Sequence, residues 1–425
     1  LPVFVTVVTD SLKPTHPIFD TFMVATTLHP IPINTTHIRP QIQALQPQLV
    51  AWRRHLHQRP ELAFQEQLTA QFIAEKLTEW GIPHQTDIAT TGIVAVIESD
   101  RPGPVLGIRA DMDALPIQEQ NEVPYRSQHA GVMHACGHDG HVAIALGAID
   151  YLRHHRSEFS GTVKVIFQPA EEGPGGAKPM IEAGALKNPD VDAIIGLHLW
   201  NNLPLGTVGV RAGALMAAVE LFDCTIHGRG GHGALPHQTV DSILVSAQVV
   251  TALQTIISRN LDPVKSGVVT IGTLHAGHAN NVIADTATLS GTVRYFDPAL
   301  DGFFHQRMEQ IIAGVCQTYG ASYTLNYRQL YPALVNDGAI AHLVRSVAEA
   351  VMEPAIGVVP ECQTMGGEDM AFFLQEVPGC YFFLGSANIS LDLAYPHHHP
   401  RFDFDETALS VGVELFMRCV EKFCV

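Results

Sequence analysis

LGIRADMDALP, residues 106–116, is an apolar run that stops on two acids, Asp111 and Asp113. Two later runs are built alike. VKVIFQPAEEGPGG (163–176) stops on Glu171 and Glu172, and AIIGLHLW (193–200) carries His198 near its end. Each reads as a buried β-strand that delivers polar groups at its carboxyl end. Helical patterns lie between them, at His141–Arg153 and Pro179–Leu186. Strands alternating with helices predict an α/β sheet covered by helices on both faces. In open sheets of this kind ligands bind beyond the carboxyl ends of the strands. The three runs therefore aim carboxylates and an imidazole at one edge.

Upstream, Gln41–Gln58 and Gln67–Trp80 have helical periodicity, and Gly81 closes the second as a left-handed cap. Gly92–Glu98 is another apolar run. Downstream the pattern changes. Val219–His227, Val268–Leu274, Thr286–Phe296 and Ala321–Leu330 read as strands, and Val240–Arg259 and Phe303–Tyr319 as helices. This β-α-β-β-α-β order is ferredoxin-like and complete in itself. The first pattern then resumes, with a helix at Ile340–Glu349, a strand at Cys380–Gly385 and a helix at Glu406–Lys422. A chain of 425 residues exceeds what one core usually organises. The predicted architecture is a discontinuous outer domain, residues 41–215 and 331–425, with helices on both faces of a mixed sheet. Residues 216–330 form an inserted domain. Residues 1–40 are expected to be a poorly ordered extension, with Met23 a candidate start.

Hydrophobic residues make up 46% and charged residues 16%, a globular composition that excludes disorder. The formal charge of -17 argues against nucleic acid and anionic membranes as partners. The 7 cysteines have no paired spacing, which predicts a reducing, cytoplasmic compartment. No apolar stretch is expected to reach the roughly 20 residues that span a bilayer.

Between the first two strands lies HACGHDGH (134–141), and near the end PHHHPRFDFDE (396–406). Cys136 and His138 stand two apart on a glycine-containing turn, a spacing from which thiolate and imidazole reach one metal. Plainer readings exist for each residue. A lone cysteine is usually a small buried hydrophobe. His198 fits a core histidine, Asp111 and Asp113 fit a turn, and the histidine run fits a solvated loop. Taken singly these readings are the better ones. Taken together they leave unexplained why all fall where one cavity would form. In the Glu171-Glu172 pair, one carboxylate can ligate a metal while its neighbour takes a proton. GRGGHG (228–233) matches a dinucleotide-binding pattern, but the acidic residue wanted about 20 positions on is replaced by helix interior. A Cys136 nucleophile with His138 as its base would leave the glutamate pair and His198 without a role.

IRADMDALP, HACGHDGHVA, QPAEEGPGGA, GLHLW, GRGGHGALPH, HANNVIAD, GTVR, GGEDMAFF and HHPRFDFDE follow one another in that order. In these motifs the chain closely resembles the N-acyl-amino-acid amidohydrolases of bacteria and plants, over about residues 45–420. That group includes hippurate hydrolase and the hydrolases of auxin–amino acid conjugates, among the dinuclear metallopeptidases of the aminoacylase/carboxypeptidase type. The resemblance implies two divalent ions per subunit (zinc, manganese, nickel or cobalt) held by Cys136, His138, Glu172, His198 and His398, with Cys136 bridging. It implies Glu171 as general base and Asp113 orienting a ligand. His232, in an inserted domain that serves dimerisation, would reach the active site of a homodimer partner. Asn280 and Arg294 would hold the substrate carboxylate. His398 is chosen because the family's ligand precedes an x-Pro pair, here His399-Pro400. His397 stands where the family commonly has an apolar residue, which leaves His397 and His399 as alternatives. The implied reaction is hydrolysis of N-benzoyl-, N-acetyl- or indoleacetyl-amino acids. The competing readings are a dipeptidase or aminopeptidase, with Glu368 and Asp369 taking a free amine, and a non-catalytic metal-binding protein.

Overall fold

The computed structural model describes residues 37–353 and 356–424. Met23 and most of the expected extension lie outside the described residues. Its last residues are packed: Ile38 is buried, and Arg39 is held by Glu421 at 2.6 Å and Glu414 at 3.4 Å.

Eight strands form the larger sheet, in the spatial order His84–Ile88, Gly92–Glu98, Thr162–Gln168, Val105–Asp111, Ala193–Pro204, Gly379–Ala387, Val208–Gly209, Val358–Val359. The four from Thr162–Gln168 to Gly379–Ala387 are mutually parallel, and the sheet is mixed because antiparallel pairs flank them. Val105–Asp111 and Gly379–Ala387 are buried at every residue, as parallel strands covered on both faces must be. One face carries helices Pro40–His57, His138–His154, Gly338–Val351 and Ala408–Phe423. The other carries the shorter Ala177–Glu182 and Met370–Glu376. This is the expected α/β architecture. His138–His154 is buried almost all round, sandwiched between sheet and neighbouring helices. Gly147 permits the crossing of Pro40–His57, since a Cβ there would come within 2.5 Å of Leu49.

A separate four-stranded antiparallel sheet runs Gly267–Ala276, Thr286–Tyr295, Ala218–His227, Ser322–Tyr331. Helices Ser242–Leu253 and Phe303–Tyr319 cover one face, with Val245, Val249, Phe304 and Met308 meeting Phe222, Leu289 and Val293 in a second core. The element order is β-α-β-β-α-β. The larger sheet draws strands from both sides of this segment.

One expectation is corrected. The helical run Ser242–Asn260 is long and apolar enough, by length and composition, to cross a membrane. Its apolar character reflects amphipathic packing: Val245, Val249, Leu253 and Ile256 are buried against the four-stranded sheet, while Ile243 and Leu244 are exposed. Ser242–Leu253 is also shorter than the expected Val240–Arg259 helix, which ends in a π-helical turn at Ile256–Asn260.

Candidate metal centre

The parallel strands end level with one another. Asp111 pairs with Gln168, and Arg109 with Gly196, which sets His198 two residues farther on, beside the acidic ends. His198 lies within the longer strand Ala193–Pro204, not at its end. Cys136 precedes Gly137, whose φ of 95° is open to glycine and strained for other residues. That turn places His138 on the first residue of its helix.

The structure brings together Cys136, His138, Glu171, Glu172, His198 and His398. Their ligand atoms form overlapping triads within 4.8 Å: Cys136–His138–His198, Cys136–Glu172–His398 and His138–Glu171–Glu172. Cys136, His138 and Glu172 each belong to two of them. Cys136 Sγ lies 3.4 Å from His198 Nε2, and His398 Nε2 lies 3.2 Å from Glu172 Oε1. His138 Nε2 is 3.9 Å from the same oxygen. Both His138 Nε2 and Glu172 Oε1 are buried without a hydrogen bond. Buried polar atoms are rarely left so, and several acceptor atoms converging on one point call for a cation. A mixed thiolate, imidazole and carboxylate set suits zinc and its neighbours in the first transition row.

The orientation of each donor is fixed from behind. Asp113 accepts the backbone N–H of Glu171 and of Glu172, each at 3.0 Å, one on each carboxylate oxygen. His138 Nδ1 donates to the Asp113 carbonyl at 3.0 Å, and His198 Nδ1 to the Leu199 carbonyl at 2.7 Å. Both rings thus turn Nε2 toward Cys136 and Glu172. His141, which the triad Asp111–His138–His141 would make a ligand, is fully engaged. Its Nδ1 donates to Asp111 at 2.5 Å, and its Nε2 accepts from Leu199 N–H at 2.9 Å.

The local field is acidic. Burial and the nearby Glu172 and Glu171 carboxylates push the Cys136 thiol far up. Burial and the Glu368 and Glu172 charges do the same to Glu171. Burial and the neighbouring His141 and His397 hold His198 neutral, well below its usual range. Burial presses on His138 from the other side, but Asp111 and Asp113 outweigh it and raise the ring to about 10. A thiolate here requires added positive charge, which a divalent ion supplies.

Of the three consecutive histidines, only His398 faces Glu172 and Cys136. It does so at a φ of 64°. His397 instead donates from Nε2 to the Leu199 carbonyl at 2.9 Å and stacks on Trp200 at 4.5 Å. His399 Nδ1 accepts from Arg401 N–H, and its ring stacks on Tyr395.

The donors open into a cavity of about 440 Å³ between the two sheets, also lined by Trp200, Met216, Val219, Tyr331 and Arg294. Arg294 is half-buried and has no carboxylate partner among the described residues; it donates to Val293 O and Thr292 Oγ1. His232 and Asn280 do not line this cavity. Both are exposed, near the ribbon where His232 pairs with Val282 and Gly233 N–H donates to Asn281 O. His232 Nδ1 accepts from Ala234 N–H, so its outward Nε2 carries the proton. Glu368 and Asp369 are buried and bound: Arg109 donates to each at 2.9 Å, and Gln168 to Asp369 at 2.8 Å.

A family model described as peptidase family M20/M25/M40 matches residues 107–422. The chain belongs to this family. It is a hydrolytic enzyme acting on amides. The chain is 44% identical over 300 residues to the N-acyl-L-amino acid amidohydrolase of Geobacillus stearothermophilus, covering 70% of this chain and 80% of that one. It is 40% identical over 368 residues to the N-acetyl-L-cysteine deacetylase of Bacillus subtilis (strain 168), covering 87% of this chain and 86% of that one. Its fold matches the crystal structure of Bacillus subtilis YXEP, a dinuclear metal binding peptidase from the M20 family. That match has a TM-score of 0.78 and 36% identity, over 90% of this chain and 99% of the other.

Sequence reasoning overlooked some residues of this M20 site. Arg109 is fully buried, with donors to Gln168, Asp111, Glu368 and Asp369. It sits inside an apolar strand, and that burial of a guanidinium was the missed signal. His141, Trp200 and Tyr331 carry no signal of spacing; their roles depend on contacts across distant segments.

Proposed function

We propose that this M20 enzyme hydrolyses the amide bond of N-acyl amino acids, releasing a carboxylic acid and a free amino acid. The observation that carries this reading is an asymmetry of charge around the cavity. Arg294 offers a guanidinium with no carboxylate partner among the described residues, suited to a free α-carboxylate. Glu368 and Asp369, the carboxylates that would greet a free amine, are consumed by Arg109 and Gln168. This disfavours the dipeptidase and aminopeptidase reading.

Cys136, His138, Glu172, His198 and His398 would hold two divalent ions. When bound, such ions lower the pKa of a water and polarise the substrate carbonyl. Glu171 takes the proton of the attacking water and passes it to the leaving amine. Asp113 keeps Glu171 and Glu172 apart in direction by holding both peptide N–H groups. Arg294 grips the substrate carboxylate. His232 donates from Nε2 to the oxyanion, and Asn280, near the same ribbon, joins Arg294 in holding the substrate carboxylate. That both lie outside their own chain's cavity supports the reading, implied by the family resemblance, that His232 serves the partner of a homodimer, with segment 216–330 as its dimerisation domain. The seven buried, unpaired cysteines support a reducing, cytoplasmic setting.

The test is turnover of N-benzoyl- and N-acetyl-amino acids against free dipeptides by the metal-loaded enzyme. Acylated substrates should be cut and dipeptides spared, with activity abolished by a chelator and restored by metal. Preference for dipeptides overturns the substrate assignment, and activity indifferent to chelation overturns the metal assignment.

A further inference from the structure

Residues 169–176 carry the Glu171-Glu172 pair between a strand and the helix Ala177–Glu182. The loop is tightly wound. Ala170 has a φ of 57° and Gly175 of 83°, and Gly175 N–H donates back to Ala170 O at 3.1 Å. Its N–H side is tied to the outer domain's framework: Glu171 and Glu172 donate to Asp113, two residues past the strand Val105–Asp111, and Ala170 donates at 2.9 Å to Glu66, which precedes helix Gln67–Glu79.

Its carbonyl side is tied elsewhere. Tyr331 donates its hydroxyl to the Glu171 carbonyl at 2.6 Å, with the Gly173 carbonyl 3.1 Å away. Tyr331 is the last residue of Ser322–Tyr331, an edge strand of the four-stranded sheet. Its ring lies in a slot between two glycines: a Cβ on Gly175 or on Gly367 would approach it to 3.2 and 3.3 Å. Phe372 meets it edge-on. Glu171 is thus gripped from two sides, by Asp113, just past a strand of the larger sheet, on its nitrogen and by Tyr331, from the four-stranded sheet, on its carbonyl oxygen.

We propose that Tyr331 is a positioning residue that sets the placement of the Glu171 carboxylate and couples it to the orientation of the four-stranded sheet. This rests on the reading of Glu171 as the base. Tyr331 acts through the loop backbone, and its hydroxyl is committed to carbonyls instead of substrate. Displacing a catalytic group by about 1 Å costs on the order of 100-fold in rate, so the backbone bond matters for turnover more than for binding.

The test is Tyr331→Phe in the metal-loaded full chain, alone and together with Glu171→Gln. The isosteric ring keeps its glycine slot. Alone, the change should lower kcat for an N-acyl amino acid about 10- to 100-fold while KM and bound metal stay unchanged. In the Glu171→Gln background the residual rate should not fall further, because no base remains to be placed. A general structural defect would lower both rates equally, and that outcome overturns the proposal. So does an unchanged kcat in Tyr331→Phe. An inactive Glu171→Gln beside a normal Tyr331→Phe removes only Tyr331, whereas a fully active Glu171→Gln removes the base assignment and Tyr331's role with it.

Discussion

Glu172 Oε1 and His398 Nε2 face each other at 3.2 Å, and the glutamate oxygen has no hydrogen bond of its own. A carboxylate oxygen and an imidazole nitrogen so placed suit a cation held between them. His397, one residue earlier, spends its Nε2 on the Leu199 carbonyl. Replacing His398 by Ala should therefore lower the metal-to-protein ratio measured by elemental analysis, and replacing His397 by Ala should leave it nearly intact. Cys136→Ser should lower it most, because Cys136 belongs to two of the ligand triads. A normal ratio in His398→Ala with a loss in His397→Ala would exchange their roles.

Glu171→Gln separates chemistry from metal binding. The amide retains the N–H bonds to Asp113 and the loop geometry but cannot take a proton. Turnover should fall about 10²- to 10⁴-fold, the usual worth of a general base. Bound metal should be unchanged, since Glu172, His138 and His398 remain. Turnover near wild type would show that another group moves the proton.

Much of this site was legible in the chain because its donors cluster in short motifs at strand ends, and topology then gathers the ends. The central strands were equally legible, as Val105–Asp111 is buried throughout and reads as one apolar run. The strands Val208–Gly209 and Val358–Val359 were not, because two residues carry no periodicity. Helix Met370–Glu376 was hidden inside GGEDMAFF, whose acids read as a recognition motif. In the fold those acids are ion-paired with Arg109, which comes from a strand far away in sequence. Tyr331 was hidden for the same reason: its function lies in a contact with Glu171, 160 positions distant. Local patterns report burial and turns, whereas long-range polar pairing appears only once the chain is folded.

The separation of Arg294 from His232 and Asn280 predicts a difference between acting within a chain and across a dimer. Arg294→Ala should raise KM for free-carboxylate substrates about 10- to 100-fold, the worth of a charge-assisted hydrogen bond, and much less for their amides. Mixing inactive His232→Ala with inactive Glu171→Gln should restore activity once subunits exchange, because one site of the mixed dimer is then whole. Asn280→Ala should complement Glu171→Gln in the same way. Arg294→Ala should not, because it and Glu171 line the same cavity. Failure of the His232 mixture to regain activity, with exchange verified, would place His232 outside the partner's site.

Behind the metal centre, His57 links two buried acids. Its Nδ1 lies 2.8 Å from Asp139 and its Nε2 3.3 Å from Glu119, while Arg53 bonds the same Asp139 oxygen at 2.8 Å. Burial and the Arg53 charge press the imidazole down, but the Asp139 and Glu119 carboxylates outweigh them and hold it up at about 9. In the unfolded chain a histidine titrates near ~6.5. The folded value is the higher, so the charged ring stabilises the fold fully below about pH 6.5, and that contribution is lost as pH rises through about 9. Denaturant unfolding of the wild type and of His57→Gln across this range isolates the effect, because other titrating groups are common to both. The stability gap between them should be widest below about pH 6.5 and shrink steadily toward about pH 9. A gap independent of pH would mean that His57 holds its proton no more tightly in the folded protein than in the unfolded chain, and a gap that grows as pH rises through about 6.5 would mean that the folded ring is neutral.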